Sequence, residues 1–140
     1  MEQLVSFETA KLAKEKGFDW NCFHAFGKNG ESAESQLDYF AEYTPYRLST
    51  GDNFNFYNIY RNISAPTQSL LQKWLREKHN YIVFPCVADN GDGDWWITYR
   101  IWSIKNEDYI YESNYSTAFD TYEQALEQGL QQALNLINCS

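Results

Sequence analysis

The apolar positions along the chain fall into two rhythms. Residues 63–84 carry both in succession and contain the most fully specified stretch. Pro66 stands in a first helical turn, where its missing N–H costs nothing. Leu70, Leu71, Trp74, Leu75 and Lys78 then recur at helical spacing on one side. Gln68, Gln72, Lys73 and Arg76 fall on the other side, which the pattern turns toward water. Asn80 is suited to end the helix. The next run, 81–88, is apolar nearly throughout and reads as a strand covered on both faces. Pro85 inside it favours an edge position or a bulge. Asp89-Asn90-Gly91-Asp92-Gly93-Asp94 is a strong turn signal. The longest strand follows over 95–104, with Trp95, Ile97, Tyr99 and Ile101 alternating with Trp96, Thr98, Arg100 and Trp102. The two runs predict an antiparallel hairpin.

The same reading extends to both ends. Ser6 caps a helix running to about Lys16, with Gly17 in the left-handed terminal position and a modest apolar side of Phe7, Ala10, Leu12 and Ala13. Residues 18–26 read as a short strand with Phe18, Trp20, Cys22 and His24 on one face and Phe23 opposite. Residues 27–62 are the least specified region. Within it, 27–35 and 47–53 read as loops, and 37–46 and 54–60 as strand candidates. Toward the C-terminus, 109–112 is a short strand. Thr121 and Gln124 form a capping box. Behind it Tyr122, Ala125, Leu126, Gly129, Leu130, Ala133, Leu134 and Ile137 make the cleanest helical stripe, with Gly129 marking a close approach. The predicted fold is α+β, three helices packed on a mainly antiparallel sheet.

Length makes 1–140 a single domain, since domains commonly hold about 100–150 residues. A chain of this size buries roughly two thirds of its unfolded surface, so it needs no disulfide or metal to hold a core. Aromatic residues make up 18% of the chain, more than a small core usually holds, so rings are expected on the surface as well as in strands. The net charge of −8 opposes a phosphate-binding footprint, and no nucleic-acid partner is expected. It leaves room for a basic partner or for mimicry of nucleic acid. Three cysteines at irregular spacing, Cys22, Cys86 and Cys139, are not a disulfide framework and fit a reducing compartment. The N-terminus lacks a signal peptide's pattern, and no apolar run approaches the roughly 20 residues of a membrane span. The expected setting is cytoplasmic, away from membranes.

Three segments follow one another in a distinctive order: Leu4-Val-Ser-Phe-Glu-Thr-Ala-Lys-Leu-Ala-Lys-Glu-Lys-Gly-Phe, Ser64-Ala-Pro-Thr-Gln-Ser-Leu-Leu-Gln-Lys-Trp-Leu-Arg-Glu-Lys-His, and Tyr122-Glu-Gln-Ala-Leu-Glu-Gln-Gly-Leu-Gln-Gln-Ala-Leu-Asn-Leu-Ile. With them the chain resembles a family of small uncharacterised proteins from bacteriophages and prophage-like elements of Bacteroides-group bacteria. The resemblance covers the three helices, under half of the chain. It implies a phage or bacterial origin and an intracellular setting. It assigns no activity and no site residue.

Candidate chemistry is sparse. Cys22 and His24 on one strand, with His79 and Cys86, could supply zinc ligands or a nucleophilic pair, but no local Cys-x-x-Cys supports either. The 89–94 loop offers Asp89, Asp92 and Asp94 to calcium but fails the EF-hand pattern. Counted from Asn90, Trp95 stands at the sixth position instead of Gly, and Ile101 at the twelfth instead of Glu. Phosphate-binding glycine loops, nucleophile elbows and zinc-protease helices are absent from the sequence. No cofactor is expected. Trp95, Trp96, Tyr99 and Trp102 with Arg100 could stack bases, although the charge opposes it. The favoured expectation is a non-catalytic accessory protein that binds another protein. Its candidate interaction surface is Gln68, Gln72, Lys73, Arg76, Trp96, Arg100 and Trp102. The alternative is a small enzyme or metal-binding protein built on the Cys/His residues.

Overall fold

The computed structural model describes residues 3–27, 44–52, 63–112 and 118–137. The chain divides into two compact units, Leu4–Thr67 and Met1–Gln3 with Gln68–Ser140.

In the first unit, α1 (Phe7–Glu15) starts where Ser6 Oγ accepts the Thr9 N–H at 3.3 Å. It stops at Gly17, whose φ is 95°. Gly17 N–H donates to Lys14 O and Phe18 N–H to Ala13 O, the paired bonds of a Schellman motif, and Phe18 is buried behind them. Strand β1 (Cys22–Gly27) is central, between β2 (Thr44–Asp52) and the short β3 (Ile63–Ser64), both antiparallel to it. Phe7 meets Phe26 edge-on at 5.6 Å.

Two expectations change here. The predicted loop over 47–53 is strand as far as Asp52, because pairing with β1 overrides the local turn composition of Gly51 and Asp52. Pro45 is tolerated because β2 lies at the sheet edge. The predicted strand over 18–26 is also shorter, although burial alternates from Phe18 to His24 as expected, with Phe23 on the exposed side. The strand begins at Cys22, and its register jumps from Cys22↔Asp52 to His24↔Arg47. Phe23, within the bulge, is 53% exposed, and past it Ala25 and Phe26 are both buried. The strand candidate over 54–60, the loop over 27–35 and most of the 37–46 candidate lie outside the described residues.

The second unit runs α2 (Gln68–His79), β4 (Tyr81–Asp89), β5 (Trp95–Ser103), β6 (Asp108–Glu112) and α3 (Tyr122–Asn135). Asn80, at φ 62°, ends α2 and turns the chain into β4. The sheet order is β4-β5-β6, all antiparallel, so Pro85 sits on an edge strand as its chemistry requires. The hairpin pairs Tyr81↔Ser103 through Asp89↔Trp95 without a break. Its turn is closed by Asp89 Oδ1 accepting Gly91 N–H at 3.1 Å and Asn90 Oδ1 accepting Asp92 N–H at 2.8 Å.

Helix α3 begins at Thr121, whose Oγ1 accepts the Gln124 N–H at 3.1 Å. Gln124 Oε1 returns a bond, accepting from Asp120 N–H at 3.1 Å. The helix lays Leu126, Leu130, Ala133 and Leu134 into the core, and Gly129 permits the contact. A Cβ there would stand 2.8 Å from Val83 Cγ1 and 3.0 Å from Tyr99 Cδ2. The α+β class stands, with the strands divided between two sheets. The expectation that 81–88 is covered on both faces does not stand. Val83 and Pro85 are buried, whereas Ile82, Phe84, Cys86 and Ala88 are half-buried and Val87 is 65% exposed.

Candidate interaction surface

Pairing fixes which side chains share a face of the second sheet. Residues directly opposite in an antiparallel pair lie on the same side. Val83↔Ile101 and Pro85↔Tyr99 therefore form one face, and these four side chains are buried, with Gly129 of α3 seated on Val83 and Tyr99. Ile82↔Trp102, Phe84↔Arg100, Cys86↔Thr98 and Ala88↔Trp96 form the other, where Thr98 is buried and the remaining seven side chains are half-buried. We call this second side the outer face.

Tyr109 of β6 gathers the outer face into a cluster. Trp102 meets its ring edge-on with centroids 4.8 Å apart. Phe84 lies 6.4 Å away at a tilted angle. The Arg100 guanidinium carbon stands 5.5 Å from the same ring centroid, inside cation–π range. The three rings are rigid and lose little side-chain entropy on contact, and the Arg100 guanidinium is planar.

Trp102, Arg100 and Trp96 were anticipated as surface residues, and they share this face. The stacking platform of Trp95, Trp96, Tyr99 and Trp102 does not form. Strand alternation sends Tyr99 into the core and Trp95 to the opposite side from Trp96 and Trp102. The sequence reading missed Phe84 and Tyr109. Phe84 could have been found by counting pairs outward from the 89–94 turn. Tyr109 could not, because the register shifts between Ile101 and Trp102.

The predicted strip on α2 is half dissolved. Lys73 and Arg76 are exposed, as expected. Gln68 is instead 95% buried, its Nε2 donating to Glu123 O at 3.0 Å and Glu127 Oε1 at 3.1 Å. Gln72 is half-buried and donates to Val83 O at 2.8 Å. A helix wedged beside both α3 and β4 buries more of its circumference than one apolar stripe indicates, and its long amides reach backbone acceptors there.

The Cys/His residues assemble little. Cys22 lies on β1, its Sγ 3.7 Å from Trp20 O. Burial pushes its thiol up to about 12, opposed only in part by a hydrogen bond with Ser64. Such a thiol is a poor nucleophile and a poor metal ligand near neutrality. His79 packs edge-on against Trp74 at 4.7 Å, and burial lowers its pKa. Cys86 is half-buried in β4, and Cys139 lies outside the described residues. Among the described residues, no group of three or more His, Cys, Asp or Glu is placed to hold a metal ion. Two of the aspartates of the 89–94 turn close it internally: Asp89 accepts from Gly91 N–H, and Asp94 Oδ2 accepts from Asn90 Nδ2 at 3.3 Å. No helix among the described residues is long and apolar enough to cross a membrane.

Comparison with known protein families, characterised proteins and solved structures finds no match to this chain.

Proposed function

We propose that this protein is a non-catalytic accessory protein of a phage or mobile element, acting in the cytoplasm by binding another protein. The observation that carries the reading is the cluster of Phe84, Arg100, Trp102 and Tyr109 on the outer face of the second sheet. Aromatic side chains with an arginine among them dominate binding energy at protein interfaces. The net charge of −8 directs the choice of partner toward a basic surface. The Cys/His alternative is less favoured, because the Cys22 thiol is held protonated.

The test is site-specific photo-crosslinking. A crosslinking residue replaces Val87, exposed on the other side of the same sheet, or Tyr109 in the cluster, and the protein is exposed to host lysate. One adduct from position 109, absent from position 87 and lost when Arg100→Glu and Trp102→Ala are introduced into folded protein, supports the reading. Equal capture from both positions, or capture indifferent to the two substitutions, overturns it.

A further inference from the structure

The turn between β4 and β5 carries a reactive pair that the binding function does not use. Asn90 is followed by Gly91, the one residue type with no Cβ to shield its backbone nitrogen. The chain has a second such pair, Asn29-Gly30, which lies outside the described residues.

Three hydrogen bonds set the Asn90 side chain against that nitrogen. Asn90 Oδ1 accepts the Asp92 N–H at 2.8 Å, the bond of an Asx turn. This bond curls the side chain forward over the Asn90–Gly91 peptide, which brings Cγ beside the Gly91 nitrogen. The same N–H sits on the oxygen where negative charge gathers when Cγ is attacked. Gly91 N–H is donated to Asp89 Oδ1 at 3.1 Å, so the proton that the nitrogen must lose already rests on an acceptor. Asn90 Nδ2, the leaving nitrogen, donates to Asp94 Oδ2 at 3.3 Å. Gly91, Asp92, Gly93 and Asp94 are all exposed, so water reaches the pair.

We propose that Asn90 deamidates in the folded protein through a succinimide formed with Gly91, and that the hairpin turn thereby converts itself to an isoaspartyl form. Gly91 N bonds to Asn90 Cγ and gives its proton to solvent base. The Cγ–Nδ2 bond breaks, and Nδ2 leaves as ammonia. Water then adds to either carbonyl of the ring. Opening on one side gives aspartate, and opening on the other gives isoaspartate, whose main chain runs through Cβ and Cγ. Water is the only co-reactant.

The product is altered where the turn is closed. A carboxylate replaces the Asn90 amide, so the bond to Asp94 Oδ2 becomes a like-charge contact, with Asp89 and Asp92 in the same turn. Isoaspartate also lengthens the main chain by a methylene, next to strands whose pairing runs unbroken to Asp89↔Trp95. The bond from Asn90 N–H to Asp94 O, at 3.3 Å, is the first to open. Deamidation is then a slow, one-way loosening of the hairpin end.

The experiment incubates the folded full chain at neutral pH beside a capped synthetic peptide of residues 86–98. Tryptic digestion under mildly acidic conditions places Asn90 in peptide 79–100, apart from Asn29. Asp92-Gly93 can close the same ring, but it loses water and regains it, so mass spectrometry records a gain only at an asparagine. The expected result is a gain located at Asn90, as fast in the folded chain as in the peptide or faster, with isoaspartate as the main product by electron-based fragmentation. Asn90→Gln should abolish it. Conversion slower than in the peptide by about tenfold or more overturns the proposal. So does aspartate without isoaspartate, or a gain that persists in peptide 79–100 of Asn90→Gln. The separated isoaspartyl form should exchange its amide hydrogens faster at residues 90–95 and equally elsewhere. Unchanged exchange there overturns the loosening.

Discussion

The two faces of the β4-β5-β6 sheet are built from similar residues and are covered differently. The inner face offers Val83, Pro85, Tyr99 and Ile101 to α3, and all four are buried. The outer face offers Ile82, Phe84, Arg100 and Trp102, and all four are half-buried. Composition does not separate them, since each carries aliphatic and aromatic side chains. What separates them is whether a helix can come close. Gly129 brings the α3 backbone onto Val83 and Tyr99, which closes that part of the inner face to water, while Val87 and Trp95 toward the hairpin turn stay 65% and 66% exposed. On the outer face the rings pack on one another around Tyr109. The part of the inner face under α3 therefore holds the fold together, and the outer face, Thr98 apart, stays partly open to water.

Substitutions should divide along the same line. Leu130→Ala, at a fully buried position on α3, should cost about 3 kcal/mol in urea denaturation, as large-to-small changes in a packed core do. A cost near zero would mean the inner face is not a close-packed core. Gly129→Ala should destabilise by about 1 kcal/mol, because overpacking against Val83 and Tyr99 outweighs the gain in helix propensity. A stabilised variant would show that the two side chains yield. On the outer face, a double-mutant cycle between Trp102 and Tyr109 should return a coupling of about 1 kcal/mol for their edge-on contact. Zero coupling would dissolve the cluster. Removing both exposed cations of α2, Lys73→Ala with Arg76→Ala, should change stability by less than about 0.5 kcal/mol. Thermal melts are sufficient to check this.

The cysteines extend the contrast to reactivity. Mass-mapped alkylation with iodoacetamide at mildly alkaline pH should label Cys86, half-buried on the outer face, well before the buried Cys22. The reverse order would contradict the burial of Cys22. Burial raises the folded-state pKa of Cys22 from an ordinary 9.0 to about 12, so folding favours the protonated thiol. Its contribution to stability is whole below the unfolded value and is lost as pH rises through the folded one. Cys22→Ala should flatten that part of the alkaline stability profile.

Legibility followed the range of the interactions. Helix starts at Ser6 and Thr121, and the stop at Gly17, depend on bonds spanning three to five residues, and each was readable. The 89–94 turn brings neighbouring runs together, so the hairpin was readable too. Strand β2 was not, because Arg47 to Asp52 is extended only through its pairing with β1. The candidate surface was half readable. Trp96, Arg100 and Trp102 follow from alternation, whereas Tyr109 reaches the cluster by way of a register shift that leaves no local mark. Gln68 and Gln72 were misplaced for a related reason: the helical pattern ranks them polar, and polar residues are sent to water unless a distant acceptor claims them.

By itself the sequence determined the three helices, the hairpin, the α+β class and the net negative, aromatic-rich composition. These follow from capping, periodicity and composition, which act within a few residues or require no geometry at all. Tertiary structure decided which part of the second sheet α3 would cover, and it divided the strands between two sheets. It also pinned the amide nitrogens of Gln68 and Gln72 inward. Each of those outcomes depends on groups far apart in the chain, such as Val83 with Gly129 or Gln68 with Glu127, whose meeting no local pattern encodes.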